Sequence, residues 1–200
     1  GLKRLKVGHA GTLDPLATGL LLICTGKKTK SIETYQKKEK EYVGTFFLGA
    51  TTPSYDLETE RDHSYPTEHI TKQLILDASK KFIGEIEQYP PTFSALKKEG
   101  KRLYEYAREG LKPVIKPRNV LISEFKIGKI KLPEIEFLVR CSKGTYIRSL
   151  AHDFGKVLQS GSHLIYLRRT KIGTFSIEDS YHINSVYDEN SSKNISLKFK

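Results

Sequence analysis

Apolar positions recur along the chain with two different periods, and each period marks a different kind of element. Ile70, Leu74, Ala78 and Phe82 follow at four-residue intervals with Ile75 beside them, which predicts a helix that Gly84 is able to end. A second helical stripe, Ile147, Leu150, Ala151, Phe154 and Leu158, predicts a helix over residues 145–158, entered through the turn Ser142-Lys143-Gly144. Strict alternation replaces this spacing where Ile135, Phe137, Val139 and Cys141 share one face of a strand. Residues 41–48, aromatic and β-branched, and residues 163–168 read as further strands. A helix is also expected over residues 100–109, ending at Gly110, and the apolar run 20–24 reads as a buried strand or the start of a helix. Residues 51–62, polar and carrying Pro53, form a loop, and Tyr89-Pro90-Pro91 breaks the chain again. Beyond Ile183 an Asn-, Ser- and Lys-rich tail is expected to be weakly ordered. With no internal repeat and no linker, the pattern predicts one α+β domain.

Composition sharpens that picture in one direction. A length of 200 residues with 38% apolar content supports a sizeable core, and no apolar run approaches the roughly 20 residues that span a bilayer. The net charge of +11 favours a polyanionic partner, because clustered Lys and Arg release counterions when they neutralise phosphates. Residues 94–118 hold eight Lys or Arg and three Glu, with Tyr104 and Tyr106 among them. Aromatics set among basic residues stack on bases, although a solvated helix with tyrosines facing the core fits the same stretch. Two cysteines and six histidines, without CxxC, HxxxH or HExxH spacing, make neither a disulfide framework nor a zinc site. A cytoplasmic protein without a metal is the expectation.

The densest chemical signal is Gly8-His9-Ala10-Gly11-Thr12-Leu13-Asp14-Pro15-Leu16-Ala17-Thr18-Gly19. Its glycines permit left-handed backbone and close approach of a ligand, and Pro15 biases Asp14 away from helical geometry. The result is a carboxylate presented by a stiff loop, which is not a phosphate-binding GxxxxGK[ST] loop. On chemistry alone an ordinary Asp-Pro turn is the commoner reading, and chemistry alone does not decide between the two. Arg148 has the same ambiguity. It falls in the first turn of the second helix beside Lys143 and off the apolar stripe, where cations oppose the helix dipole by about 0.3–1 kcal/mol. Two cations there suggest an anionic partner, and a solvated arginine is the alternative.

Residues 8–19 resemble the central motif of the bacterial tRNA pseudouridine-55 synthase (TruB) family. The similarity continues in order through Lys40-Glu41-Tyr42, Gly49-Ala50-Thr51-Thr52, Tyr89-Pro90-Pro91, Phe93-Ser94-Ala95-Leu96-Lys97 and Gly100-Lys101-Arg102-Leu103-Tyr104. It resumes at Cys141-Ser142-Lys143-Gly144-Thr145-Tyr146-Ile147-Arg148 and closes with Gly161-Ser162-His163-Leu164 and Tyr166-Leu167-Arg168-Arg169.

The resemblance implies a pseudouridine synthase fold, an α+β architecture with a central mixed, largely antiparallel sheet flanked by helices and loops. It implies isomerisation of the uridine at position 55, in the T loop of tRNA, without a cofactor or metal and by a monomer. Asp14 would be the essential carboxylate, attacking C1′ or removing the C2′ proton, and Arg148 would pair with it. Tyr42 would stack on the target uracil and Leu167 would line its pocket. His9 would take the place of the flipped base, Asp56 would contact that base, and Tyr146 and Lys143 would complete substrate binding. A catalytic Asp in a pocket cannot reach a stacked nucleotide, so the base must be flipped out. The chain departs from the family in lacking a KPxGxTS-like segment ahead of Gly8, and residues 51–62 depart from a TDTxDxxG pattern. The expected organisation is an N-terminally incomplete catalytic domain over residues 1–183 and a tail over 184–200, with no room for a PUA domain. A non-catalytic RNA-binding or tRNA-folding module on the same scaffold is the alternative.

Overall fold

The computed structural model describes residues 5–94, 96–98, 100–111 and 115–186. The chain begins with three short strands, β1 (Val7–His9), β2 (Thr18–Gly19) and β3 (Ile23–Thr25), then a 3-10 turn and helix α1 (Ile32–Lys37). There follow β4 (Lys40–Leu48), β5 (Ala50–Thr51), β6 (His63–Ser64), α2 (Lys72–Lys80) and β7 (Gly84–Gln88). A small hairpin, β8 (Lys97–Lys98) and β9 (Lys101–Arg102), leads into α3 (Leu103–Arg108). The second half comprises β10 (Arg118–Lys131), β11 (Glu134–Cys141), α4 (Ile147–Val157), β12 (Ser162–Ile172), β13 (Phe175–Ser176) and the turn α5 (Ile183–Val186).

One sheet organises these elements. Its strand order is β13-β12-β4-β11-β10-β7, antiparallel at every step, with β2 added to β12 in parallel. The sheet is therefore mixed and largely antiparallel, as the family resemblance implies. Alternation along β4 and β11 explains why one face is buried. Phe46 and Leu48 from β4 and Ile135, Phe137, Val139 and Cys141 from β11 are all at most 3% exposed. Phe154 of α4 meets Phe46 at 5.6 Å and Phe82, just past α2, at 6.0 Å, so both helices close over the same apolar cluster. Removing such a ring from a core costs about 3–5 kcal/mol. The opposite face holds a polar network: Glu41 accepts from Arg140 at 2.7 Å and Thr170 at 2.9 Å, and Arg140 reaches Glu124 at 3.1 Å.

Several boundaries differ from the sequence pattern, each for a local reason. The helix expected to open at residue 145 begins at Ile147, with Tyr146 in extended backbone as its N-cap. The strand expected over 163–168 runs on to Ile172, because β4 pairs with it along its whole length. Residues 20–24 neither bury as a block nor start a helix: Leu20 and Cys24 point inward while Leu21 and Ile23 are exposed, which is strand alternation. The helix expected over 100–109 is only Leu103–Arg108, since Lys101 and Arg102 pair with β8. Gly84 does not terminate α2, which ends at Lys80; with φ of 106° it opens β7, an element the pattern does not reveal. Of the expected tail, residues 184–186 belong to α5 and residues 187–200 lie outside the described residues.

Candidate active site

The loop carrying Asp14 is held at its base from both sides. Ala10 N–H donates to Leu22 O at 2.9 Å, and Leu20 N–H donates to Arg169 O at 2.8 Å. Gly19, with φ of 108°, lies so close to β12 that an added Cβ would sit 2.3 Å from Arg169 O, so this crossing requires glycine. Between these anchors Ala17 N–H donates to Asp14 O at 2.9 Å, closing a tight turn around Pro15.

The Asp14 side chain, 32% exposed, meets a buried guanidinium. Arg148 Nε donates to Oδ2 at 3.0 Å and Nη2 donates to Oδ1 at 2.9 Å, a two-pronged geometry that fixes the plane of the carboxylate. Arg148 is 3% exposed and spends its remaining donor, Nη1, on Phe93 O at 2.8 Å and Ser54 O at 3.4 Å. Asp56, itself 4% exposed, places Oδ2 3.5 Å from Arg148 Nε. One guanidinium thus faces two carboxylates, one open to solvent and one enclosed. The solvated-arginine reading of Arg148 is excluded. Asp56 is held by Glu58 N–H at 2.9 Å to its carboxylate and by Thr52 Oγ1 at 2.7 Å to its carbonyl.

Asp14 opens into a cavity of about 450 Å³ whose wall includes Tyr42, Lys143, Tyr146, Arg148 and Leu167. Six of the eight expected site residues therefore share one cavity. Asp56 flanks it through a small adjoining recess shared with Asp14 and Leu167. His9 stands apart, exposed on β1 opposite Ile23 and outside the cavity wall. Burial pushes the Tyr42 phenol up to about 12, so the ring is neutral at physiological pH. The N-terminus of α4 is set by Gln88, whose amide accepts from Tyr146 N–H at 2.8 Å and donates to Tyr146 O at 3.1 Å. Arg118 lies 5.4 Å over the Tyr146 ring.

The cavity also contains residues that the sequence reading did not single out: Lys40, Arg118 and Arg169. Lys40 and Arg169 are 7% and 1% exposed. Burial, followed by the positive charge of Arg169, lowers the Lys40 pKa. Strand parity in the observed strands accounts for both. Lys40 shares its parity with Tyr42, Phe46 and Leu48, and Arg169 shares its parity with Leu167, so each is a cation at an inward strand position. Among the described residues, no group of three or more His, Cys, Asp or Glu side chains is arranged to hold a metal ion, and no helix is long and apolar enough to cross a membrane.

Comparison with known proteins converges on one family. The model of the TruB family pseudouridylate synthase N-terminal domain matches residues 1–147, and that of the tRNA pseudouridylate synthase B C-terminal domain matches residues 148–196. The chain is 63% identical over 181 residues to tRNA pseudouridine synthase B of Flavobacterium johnsoniae, covering 90% of this chain and 79% of that protein. It is 44% identical over 190 residues to the protein of the same name from Chlorobaculum tepidum, covering 94% and 79%. Among solved structures it resembles a chain of a Cbf5-Nop10-Gar1 complex with a TM-score of 0.63 at 30% identity, over 86% of this chain. A chain of an H/ACA RNP bound to a substrate RNA containing 2′-deoxyuridine gives a TM-score of 0.60 at 27% identity, again over 86%. This chain spans only 41% and 40% of the length of those two chains.

Proposed function

The chain belongs to the TruB family of pseudouridylate synthases, and from that premise we propose that it converts the uridine at position 55, in the T loop of tRNA, to pseudouridine, with Asp14 as the acting carboxylate. The observation that carries this reading is the Asp14–Arg148 pair, formed with both prongs and open to a cavity lined by Tyr42 and Leu167. The reaction breaks the N1–C1′ bond, turns the uracil, joins C5 to C1′ and releases the C5 hydrogen as a proton while N1 gains one. Nothing is oxidised or transferred, so side chains suffice. Asp14, oriented by the Arg148 fork, either adds to C1′ or takes the C2′ proton.

The flipped uracil stacks on the neutral Tyr42 ring against Leu167, while Lys143, Arg118 and Tyr146 at the cavity rim hold the adjoining backbone. His9, outside the cavity on β1, fills the gap that the flipped base leaves in the RNA. A volume of about 450 Å³ accommodates a nucleotide within the ~300–1,000 Å³ range of ligand pockets. The enzyme acts as a cytoplasmic monomer on the T stem-loop. A non-catalytic RNA-binding module has no use for a carboxylate oriented by a buried guanidinium, and nothing favours it.

The direct test is site mapping. An unmodified tRNA transcript treated with the protein should acquire a single pseudouridine at position 55 by carbodiimide-primed reverse-transcriptase stops, and modification elsewhere would refute the assignment of site. Two further outcomes follow from the charges and the ring. RNA affinity should fall steeply with salt, with log K linear in log salt, because a +11 chain binds largely through phosphates. A flat plot would reduce the basic residues to solubilising surface. Tyr42→Ala should slow turnover at least 10-fold while weakening overall RNA binding by less, since one base stack is worth about 1–3 kcal/mol. Unchanged turnover would return Tyr42 to a packing role.

A further inference from the structure

Arg169 is an unusual residue for a strand core. It is the largest side chain among those fully buried, 1% exposed, and among the described residues no carboxylate lies within ion-pair distance of it. Its guanidinium instead holds three backbone carbonyls: Nε donates to Leu20 O at 2.8 Å, Nη1 to Thr12 O at 3.3 Å and Nη2 to Gly11 O at 3.1 Å. Those carbonyls belong to both ends of the segment that carries Asp14. The Arg169 backbone reinforces the same grip, accepting from Leu20 N–H and pressing against Gly19. In the sheet Arg169 is also the direct cross-strand partner of Tyr42.

We propose that Arg169 is the positioning residue of the Asp14 loop: one planar fork clamps Gly11 and Thr12 to Leu20, and thereby sets where Asp14 meets Arg148 and how far it stands from the Tyr42 ring. The Arg169 donors go to these three carbonyls and to the neighbouring Tyr42 phenol rather than to a carboxylate. A residue serving only to fill the core would be apolar, since an enclosed guanidinium without a carboxylate loses its hydration for no packing gain. Five donors in one plane can hold three carbonyls from two chain segments in a fixed relation, and an ammonium cannot. Two arginines, one from α4 and one from β12, thus divide the work. Arg148 orients the carboxylate and Arg169 orients the backbone that presents it. The inference rests on the reading of Asp14 as the acting group.

The test compares wild type with Arg169→Lys, which keeps the charge and removes the fork. Because a reacting group misplaced by about 1 Å loses ~100-fold in rate, single-turnover pseudouridine formation should fall roughly 10- to 100-fold. Affinity for a T-arm stem-loop and KM should stay within about two-fold. Hydrogen exchange should rise selectively in residues 11–20, with β4 and β11 still protected, a local signature that general destabilisation does not produce. For Arg169→Ala, added ethylguanidinium should restore part of the rate and ethylammonium should not. Full activity in Arg169→Lys overturns the proposal, as does protection lost throughout the sheet or weaker RNA binding with an intact rate. Asp14→Asn, assayed alongside, separates the two ideas. If it remains active the reading of Asp14 fails, whereas the exchange pattern still decides whether Arg169 clamps the loop.

Discussion

Asp14→Asn is expected to abolish pseudouridine formation, with a loss of at least ~1,000-fold in single-turnover rate, and to leave affinity for a T-arm stem-loop within a few-fold of wild type. The substitution keeps the size of the side chain and removes the nucleophile or base, a contribution that in proton transfer alone is worth about 100- to 10,000-fold. Its effect on the fold is limited by geometry. Asp14 is partly solvent-exposed, and Asp56 remains 3.5 Å from the Arg148 guanidinium as a second carboxylate. The buried cation is therefore not left without a counter-charge. Lys143 and Arg118, the proposed RNA contacts on the cavity wall, are not touched by the change. Retained activity with normal binding would mean that another group does the chemistry.

Arg148→Lys is the second large effect, and it distinguishes geometry from charge. The guanidinium makes two bonds to Asp14, one of 2.8 Å to Phe93 O and a longer one to Ser54 O, while facing Asp56. A lysine supplies a point charge and cannot reproduce the fork. Loss of carboxylate orientation should slow the chemical step about 100-fold. Leaving the Phe93 carbonyl short of its donor should lower stability by about 1–3 kcal/mol. Single-turnover rates at saturating enzyme separate chemistry from binding. A variant that reacts at the wild-type rate and only binds more weakly would identify Arg148 as a phosphate contact.

The difference between what the sequence discloses and what it conceals lies in the range of the interactions. β4, β11 and the apolar stripe of α4 were legible because their burial follows from period alone: Phe46, Phe137 and Phe154 each sit where a 2.0 or 3.6 repeat places them. β7 was not legible, since Glu85 and Glu87 flank a single apolar Ile86 on a strand at the edge of the sheet. Arg148 shows the limit more sharply. By helical period it lies off the stripe, yet Ile147 through Ala151 are all buried, and Arg148 is covered by loop residues Asp14, Ser54 and Phe93, each of which it contacts. Those loops come from 134, 94 and 55 residues away along the chain, and no local pattern encodes that cover. Only the ordered motifs shared with the TruB family pointed to the pairing with Asp14. Asp56 was the weakest expectation, since its loop departs from the family pattern, yet it stands against Arg148. Lys40 and Arg169 each lie one residue outside the strands that the pattern predicts, 41–48 and 163–168, so their inward positions follow only from the longer strands of the fold.

Tritium release from a T-arm stem-loop labelled at uridine C5 tests the central claim most directly. Joining C5 to C1′ expels that hydrogen, and binding without isomerisation does not. Incubated with this chain, the RNA should lose the label from one uridine per molecule to solvent, and Asp14→Asn should release none above background. Tight RNA binding by the wild-type chain with no release of tritium would contradict the account and leave a protein that only binds RNA.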